Sequence, residues 1–372
     1  MSLRRLLAVA RKEVLQLSRD RRSLGLAFLL PLLLLLLFGY AISWDVRDVR
    51  TAVWDGDRSA ASRALLEAFW ASGYFTPVES VAGPPGLRAA LEGDRAELVL
   101  VVPAGFARDL GAGRTAVVQA VVDGSDANTA TIALEYARAI TRGHAMRLRA
   151  AEGEPFTPAL TLASRVWYNE ELVSRNMIVP ALVPVIMMII AAMLTSLTLA
   201  REWERGTMEQ LAATPVRRSE VVLGKLLPYL VIGMVDVLAT SGLAVLLFGV
   251  PFRGSAALLA GLSFLFLAGA SGLGIFISAG ARSQLTATQV ALVVSYLPAL
   301  LLSGFMFAIE VMPAPLRALT YLIPTRYFVV VTRGIFLKGV GLEVLAGQAA
   351  LMLLFALVGV TLAIARFRKV ME

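Results

Sequence analysis

Long apolar runs separated by short charged stretches dominate the chain. A membrane-crossing helix needs roughly 20 mostly apolar residues. Six runs meet that length, at about 23–43, 177–200, 226–250, 255–280, 285–308 and 343–365. Between the first and second runs the pattern changes. There, 50–54 (RTAVW), 97–102 (ELVLVV) and 116–122 (AVVQAVV) read as strands. Ser59–Ser72, a short piece near Leu87–Leu91 and Thr131–Met146 carry helical spacing. Strands alternating with helices predict a small α/β domain with a mixed or parallel sheet. Before the first run, Leu3, Leu6, Leu7, Ala10, Val14 and Leu17 recur at helical spacing among basic residues. That pattern predicts an amphipathic helix in the membrane interface over 1–22.

Composition agrees with the runs. The 372 residues are 58% hydrophobic and only 17% charged, against about 45–50% and about 25% in soluble domains. The net charge is +8, and its distribution sets the expected orientation. Residues 44–176 hold 17 acidic and 14 basic residues, and the rest holds 10 acidic and 21 basic. The basic excess flanks apolar runs, at Arg4 to Arg22, Arg201 to Lys225 and Arg366 to Lys369. Lys- and Arg-rich short loops stay in the cytoplasm, so both termini are expected inside and an even number of spans is required. The charge therefore points to membrane orientation rather than nucleic acid.

The expected fold is an all-α polytopic membrane protein. It has six transmembrane helices, N-in/C-in, with a small α/β extracytoplasmic domain inserted between helices 1 and 2. Its segments are the interfacial helix 1–22, an uncleaved first span 23–43, the outer domain 44–176, a five-helix domain 177–366 and a tail 367–372. The hinge 150–176, with Pro155 and Pro158, leads back to the membrane through Trp167-Tyr168-Asn169, which suits an interface.

Little material for catalysis exists. There is no cysteine and one histidine, His144, so disulfides, thiol chemistry and His-based metal sites lack donors. Asp123, Asp126 and Asn128 miss calcium-loop spacing and read as a turn with a helix cap. A P-loop needs G-x-x-x-x-G-K-[ST]. The Gly224-Lys225 pair is followed by Leu226 and preceded by Ser219 at the first glycine position, so no such nucleotide site is expected. Gly272-x-Gly274 lies in an apolar run and reads as close helix packing. Polar residues within spans are functional candidates. Asp236 should face a cavity, a partner helix or a water path, and Gln284 and Gln289 should help line an inner vestibule.

The stretch 201–215, REWERGTMEQLAATP, puts unusual charge between two spans. Thr207-x-x-Gln210 fits a capping box, Gly206 lets the chain turn off the span, and Pro215 ends the helix. Met208, Leu211 and Ala212 share one face. Such a short amphipathic helix suits docking into a partner's groove.

This stretch, continued through Glu220, Gly224 and Lys225, resembles the signature region of ABC type-2 transporter permeases. It carries Glu202, Glu204, Arg205, Gly206, Thr207, Glu209, Leu211, Thr214 and Pro215 at matching places. A second match, 301–328, has Ser303-Gly304, Ile309-Glu310, Met312-Pro313 and Pro324-Thr325-Arg326-Tyr327. Ala308 departs from a proline common there. The resemblance implies a permease subunit of an ABC exporter in the bacterial inner membrane. It implies no cofactor on this chain, with ATP and Mg held by separate cytoplasmic ATPase subunits that dock at 201–215. It also implies pairing with a second copy or a paralogous permease, an outer gate over 309–342 carrying Glu310, Pro313 and Arg326, and a path lined by spans two and five. A periplasmic adaptor is a further expected partner of the outer domain. Alternatives are mechanotransmission through the outer domain, which usually goes with four spans, and Na+ extrusion using Asp236. An intramembrane enzyme is disfavoured by the lack of an acid–base pair or metal cluster.

Overall fold

Six helices of the computed structural model are long and apolar enough to cross a membrane. The structure describes residues 2–42, 46–151, 167–171 and 173–367. The chain divides into two units, 1–43 with 165–372, and 44–164. Pro155, Pro158 and most of the tail fall outside the described residues.

In the larger unit, α1 (Leu3–Arg19) precedes α2 (Arg21–Ala41). The unit resumes with α7 (Ser174–Glu204), α8 (Met208–Ala213), α9 (Arg218–Leu246), α10 (Ala256–Gly280) and α11 (Gln284–Leu301). A single 3-10 turn (Ile309–Val311), α12 (Ala314–Thr320), α13 (Pro324–Arg333), a π-helical segment (Gly334–Lys338) and α14 (Leu342–Arg366) complete it. Helix α7 is the hub, packed by α2, α9, α10, α11 and α13. Its apolar window is 94% buried within the chain. Helix α11 is among the open helices, with Val290, Val293, Val294 and Leu297 exposed.

Small residues set the closest approach. A Cβ on Gly272 would lie 2.6 Å from the Gly359 carbonyl carbon, so α10 and α14 touch backbone to backbone. A Cβ on Gly274 would meet Thr195 and the Ala192 carbonyl of α7. The small-residue packing read from Gly272-x-Gly274 is thus observed.

Several boundaries differ from expectation. Span five ends at Leu301, not 308, because Gly304 takes φ +80° and turns the chain. The helix carrying span three begins at Arg218, ahead of the apolar run, because Glu220 accepts the Arg217 N–H at 2.9 Å and caps the helix there.

The smaller unit holds β1 (Val49–Asp55), α3 (Ala60–Trp70), β2 (Phe75–Ser80), α4 (Gly83–Glu92), β3 (Leu98–Val102), α5 (Phe106–Gly111), β4 (Gln119–Val122) and α6 (Ala127–Ala151). Strand order is β2-β1-β3-β4, with β1 parallel to β2 and β3, and β4 antiparallel to β3. The sheet is therefore mixed. Leu65 and Phe69 of α3 and Ala133 and Ala137 of α6 cover one face, and Ala90 of α4 covers the other. Strand β2 escaped sequence reading because Pro77 and three exposed positions break its alternation. That is allowed at an edge, where ladder bonds are needed on one side only. Asp126 accepts the Asn128 and Thr129 N–H groups and starts α6, the turn-and-cap role read for it. Asp57 caps α5 by accepting the Gly105 and Ala107 N–H groups. A bond from Ser59 and those backbone donors hold its carboxyl below the usual range.

Candidate coupling site

The segment 201–215 divides into two pieces rather than one helix. Residues 201–204 are the last turn of α7. At 31 residues, α7 spans about 46 Å at 1.5 Å per residue. A hydrocarbon core is about 30 Å, so the helix is longer than such a core by about 16 Å. Gly206 then takes φ +67°, a conformation costly for residues with a Cβ, and the chain reverses into α8. The anticipated capping box does not form. Thr207 sits in helical backbone and makes no side-chain cap. Its hydroxyl donates instead to the Glu202 carboxylate, a charged acceptor that outcompetes a backbone cap. On α8, Met208 and Leu211 are buried, while Glu209 is exposed, as are Arg205, Thr214 and Pro215.

Glu202 corrects the sequence reading. Grouped there with surface docking residues, it is 2% exposed and belongs to an internal ion network. Its carboxylate accepts Lys12 Nζ at 2.9 Å and Lys225 Nζ at 3.1 Å. Lys225, also 2% exposed, donates to Glu13 at 2.7 Å, and Tyr229 donates to Glu13 at 3.0 Å. Three elements meet in this cluster: α1, the end of α7 and the start of α9. Buried charges persist when paired and hydrogen-bonded, and every carboxylate here has at least two donors.

Helix α1 is pinned along its length. The Ser2 N–H donates to Glu220 at 2.6 Å, Arg5 to the Pro215 carbonyl at 2.5 Å, and Arg201 pairs with Asp20 at 3.0 Å. Gly224 makes this possible, since a Cβ there would come within 2.9 Å of the Leu6 carbonyl. The apolar positions predicted to enter the interface therefore split. Leu6, Ala10 and Leu17 are buried, and Leu3, Leu7 and Val14 stay exposed. Sequence reasoning missed Lys12, Glu13 and Asp20. A signal existed: Glu13 shares the Leu6, Ala10, Leu17 face, where an acid demands a buried cation.

Glu204 joins a different residue. It accepts the backbone N–H of Gln284 at 2.7 Å and bonds the Gln284 side-chain amide. Gln284 therefore closes the start of α11 rather than a deep vestibule, and Gln289 is exposed. Asp236 is 2% exposed in mid-α9, and its Oδ2 has no hydrogen-bond partner among the described residues.

At the other end, Glu310 and Pro313 are exposed. Arg326 bonds Thr320 and stacks over the Tyr321 ring at 4.0 Å, and Tyr327 donates to the Tyr321 carbonyl at 2.6 Å. Ala308 holds φ −63°, the value proline imposes, so the turn survives its replacement. Arg333 donates to the Met177 and Gly304 carbonyls, both at 3.3 Å. Arg253 donates from its backbone to Phe336 O at 3.0 Å and from its side chain to Leu337 O at 3.2 Å. These are carbonyls of the π-helical segment.

The sequence matches the family model described as ABC-2 family transporter protein over residues 21–365. It is 39% identical over 340 residues to the Escherichia coli K12 "Probable multidrug ABC transporter permease YbhS", covering 91% of this chain and 90% of that one. Identity to "Probable multidrug ABC transporter permease YbhR" of the same organism is 30% over 365 residues, 98% of each chain. To its "Inner membrane transport permease YhhJ" it is 30% over 331 residues, 86% of this chain and 84% of that one.

Proposed function

The chain belongs to the ABC-2 family of transporter proteins, and on that premise we propose that it is the permease subunit of an exporter driven by ATPase subunits on separate chains. Its cargo is apolar or amphipathic, in keeping with relatives named as probable multidrug permeases. The membrane is the bacterial inner membrane, and the end bearing α1 and α8 faces the cytoplasm, as its basic residues favour. ATP and Mg belong to the ATPase. A second copy or a paralogous permease completes the membrane portion, and the domain 44–164 faces outward, where an adaptor would meet it.

One observation carries the coupling role. Helix α7 runs unbroken from the centre of the bundle to Glu204 and turns at Gly206 directly into α8. Force on Arg205 or Glu209 would therefore pass to the hub helix through the short turn at Gly206. The network at Glu202 and Lys225 spreads it to α1 and α9. To swing the permease from 1:99 to 99:1, nucleotide must favour one state by about 5.5 kcal/mol. The test is reconstitution with the cognate ATPase. Cargo-stimulated ATP hydrolysis is expected, and its loss in the Arg205→Ala/Glu209→Ala variant with normal membrane insertion supports docking at α8. Normal co-purification and stimulation in that variant would rule the assignment out.

Ion extrusion through Asp236 is the second reading, favoured by its unpartnered buried oxygen. Unchanged cation transport in Asp236→Asn would sink it.

A further inference from the structure

Between α1 and α9 lies a groove of about 340 Å³, lined by Val14 and Leu17 of α1, Leu24 of α2, and Leu227, Pro228 and Val231 of α9. Its walls are apolar. Ser18 borders it, but its hydroxyl donates to the Leu15 carbonyl of its own helix at 3.0 Å. Val14, Leu227 and Val231 are exposed. The groove continues along α9 into a stripe of exposed side chains at helical spacing, Val231, Val235 and Leu238. An apolar channel running up a membrane-spanning helix from an interfacial one has the form of an acyl-chain site.

Beside the groove, the charges left unpaired among the described residues are of one sign. Arg11, Arg19 and Arg21 are exposed, and none forms an ion pair or hydrogen bond among the described residues. They contrast with Lys12, Glu13, Asp20 and Arg201, which are consumed in pairs. Arg11 and Arg21 flank the α1 wall within three residues of Val14 and Ser18 in sequence. Unpaired guanidinium groups at an interface recognise phosphate, and their attraction to anionic lipid is worth about 1 kcal/mol each.

We propose that this groove binds one anionic glycerophospholipid of the bilayer, an acyl chain lying against Val14, Pro228 and Val231 and the headgroup phosphate held by Arg11 and Arg21. None of the residues lining the groove belongs to α8. By occupying the gap behind α1, the lipid braces the helix that carries Lys12 and Glu13. This reading needs only that α1 lies at a membrane surface, so its fate and that of the transport reading are independent.

The test is native mass spectrometry of the full chain released from nanodiscs of phosphatidylglycerol or of phosphatidylcholine. One tightly retained phosphatidylglycerol is expected, with phosphatidylcholine retained at least about tenfold less, consistent with two arginines at roughly fivefold each. Val14→Trp and, from the opposite wall, Val231→Trp fill the groove and should each abolish that retention. Arg11→Ala should weaken it about fivefold without changing the melting temperature in detergent. Equal retention of both lipids, or unchanged retention in both tryptophan variants, overturns the proposal. So does displacement of the lipid by an apolar cationic dye, since the groove would then be a cargo site.

Discussion

The two ends of the membrane unit hold their cationic residues in opposite ways. At the α1/α8 end, charge meets charge: Lys225 lies between Glu13 and Glu202, with Lys12 completing the set. At the other end, Arg333 and Arg253 meet backbone carbonyls at Met177, Gly304, Phe336 and Leu337. The first arrangement depends on side chains from three helices separated in sequence. The second depends on the path of the chain, because Gly304 at φ +80° and the π-helical segment aim those carbonyls. Ion networks lock helices to one another as a unit, whereas carbonyl clamps hold irregular backbone at a fixed bend. An element that transmits force suits the former, and a segment that must re-bend suits the latter.

That contrast is open to direct attack. Lys225→Met should have the largest effect, since it leaves buried Glu13 without a cation and takes one from Glu202, and costs about 3–5 kcal/mol. Thermal unfolding in detergent would register it. Adding Glu13→Gln and Glu202→Gln should recover most of the loss, and no recovery would mean the lysine acts by packing alone. Arg333→Met should cost less, about 1–3 kcal/mol, because it leaves carbonyls rather than charges unpaired. Arg333→Lys should not restore it, since one ammonium cannot reach both carbonyls in the planar geometry. Gly206→Ala should cost about 1–2 kcal/mol for the left-handed conformation. Its larger consequence should be a loss of cargo-stimulated ATPase, read in proteoliposomes. Smallest in stability, within about 0.5 kcal/mol, should be Arg205→Ala/Glu209→Ala. If that pair melts the protein as Lys225→Met does, the separation of an exposed docking surface from a buried lock is wrong.

The sequence made the spans legible because roughly 20 apolar residues in a row admit few other structures. It also made β1 and β3 legible, as buried strands read as continuous runs. Strand β2 was illegible because an edge strand with Pro77 has no clean alternation. The turn at Gly206 was legible from the residue alone. The fate of Thr207 was not, because its hydroxyl chooses between a local backbone donor and a carboxylate five residues back. Glu202 was misjudged for a related reason. Its charge pattern matches a surface helix, and only the arrival of Glu13 and Lys225 from distant positions makes it internal.

The Lys225–Glu13 bond joins residues 212 positions apart. A ribosome adding about 5–20 residues per second takes roughly 10–40 s to cover that distance. For that interval Glu13 exists without its lysine, and Ser2 without Glu220. Helix α1 is thus made well before the residues that seat it.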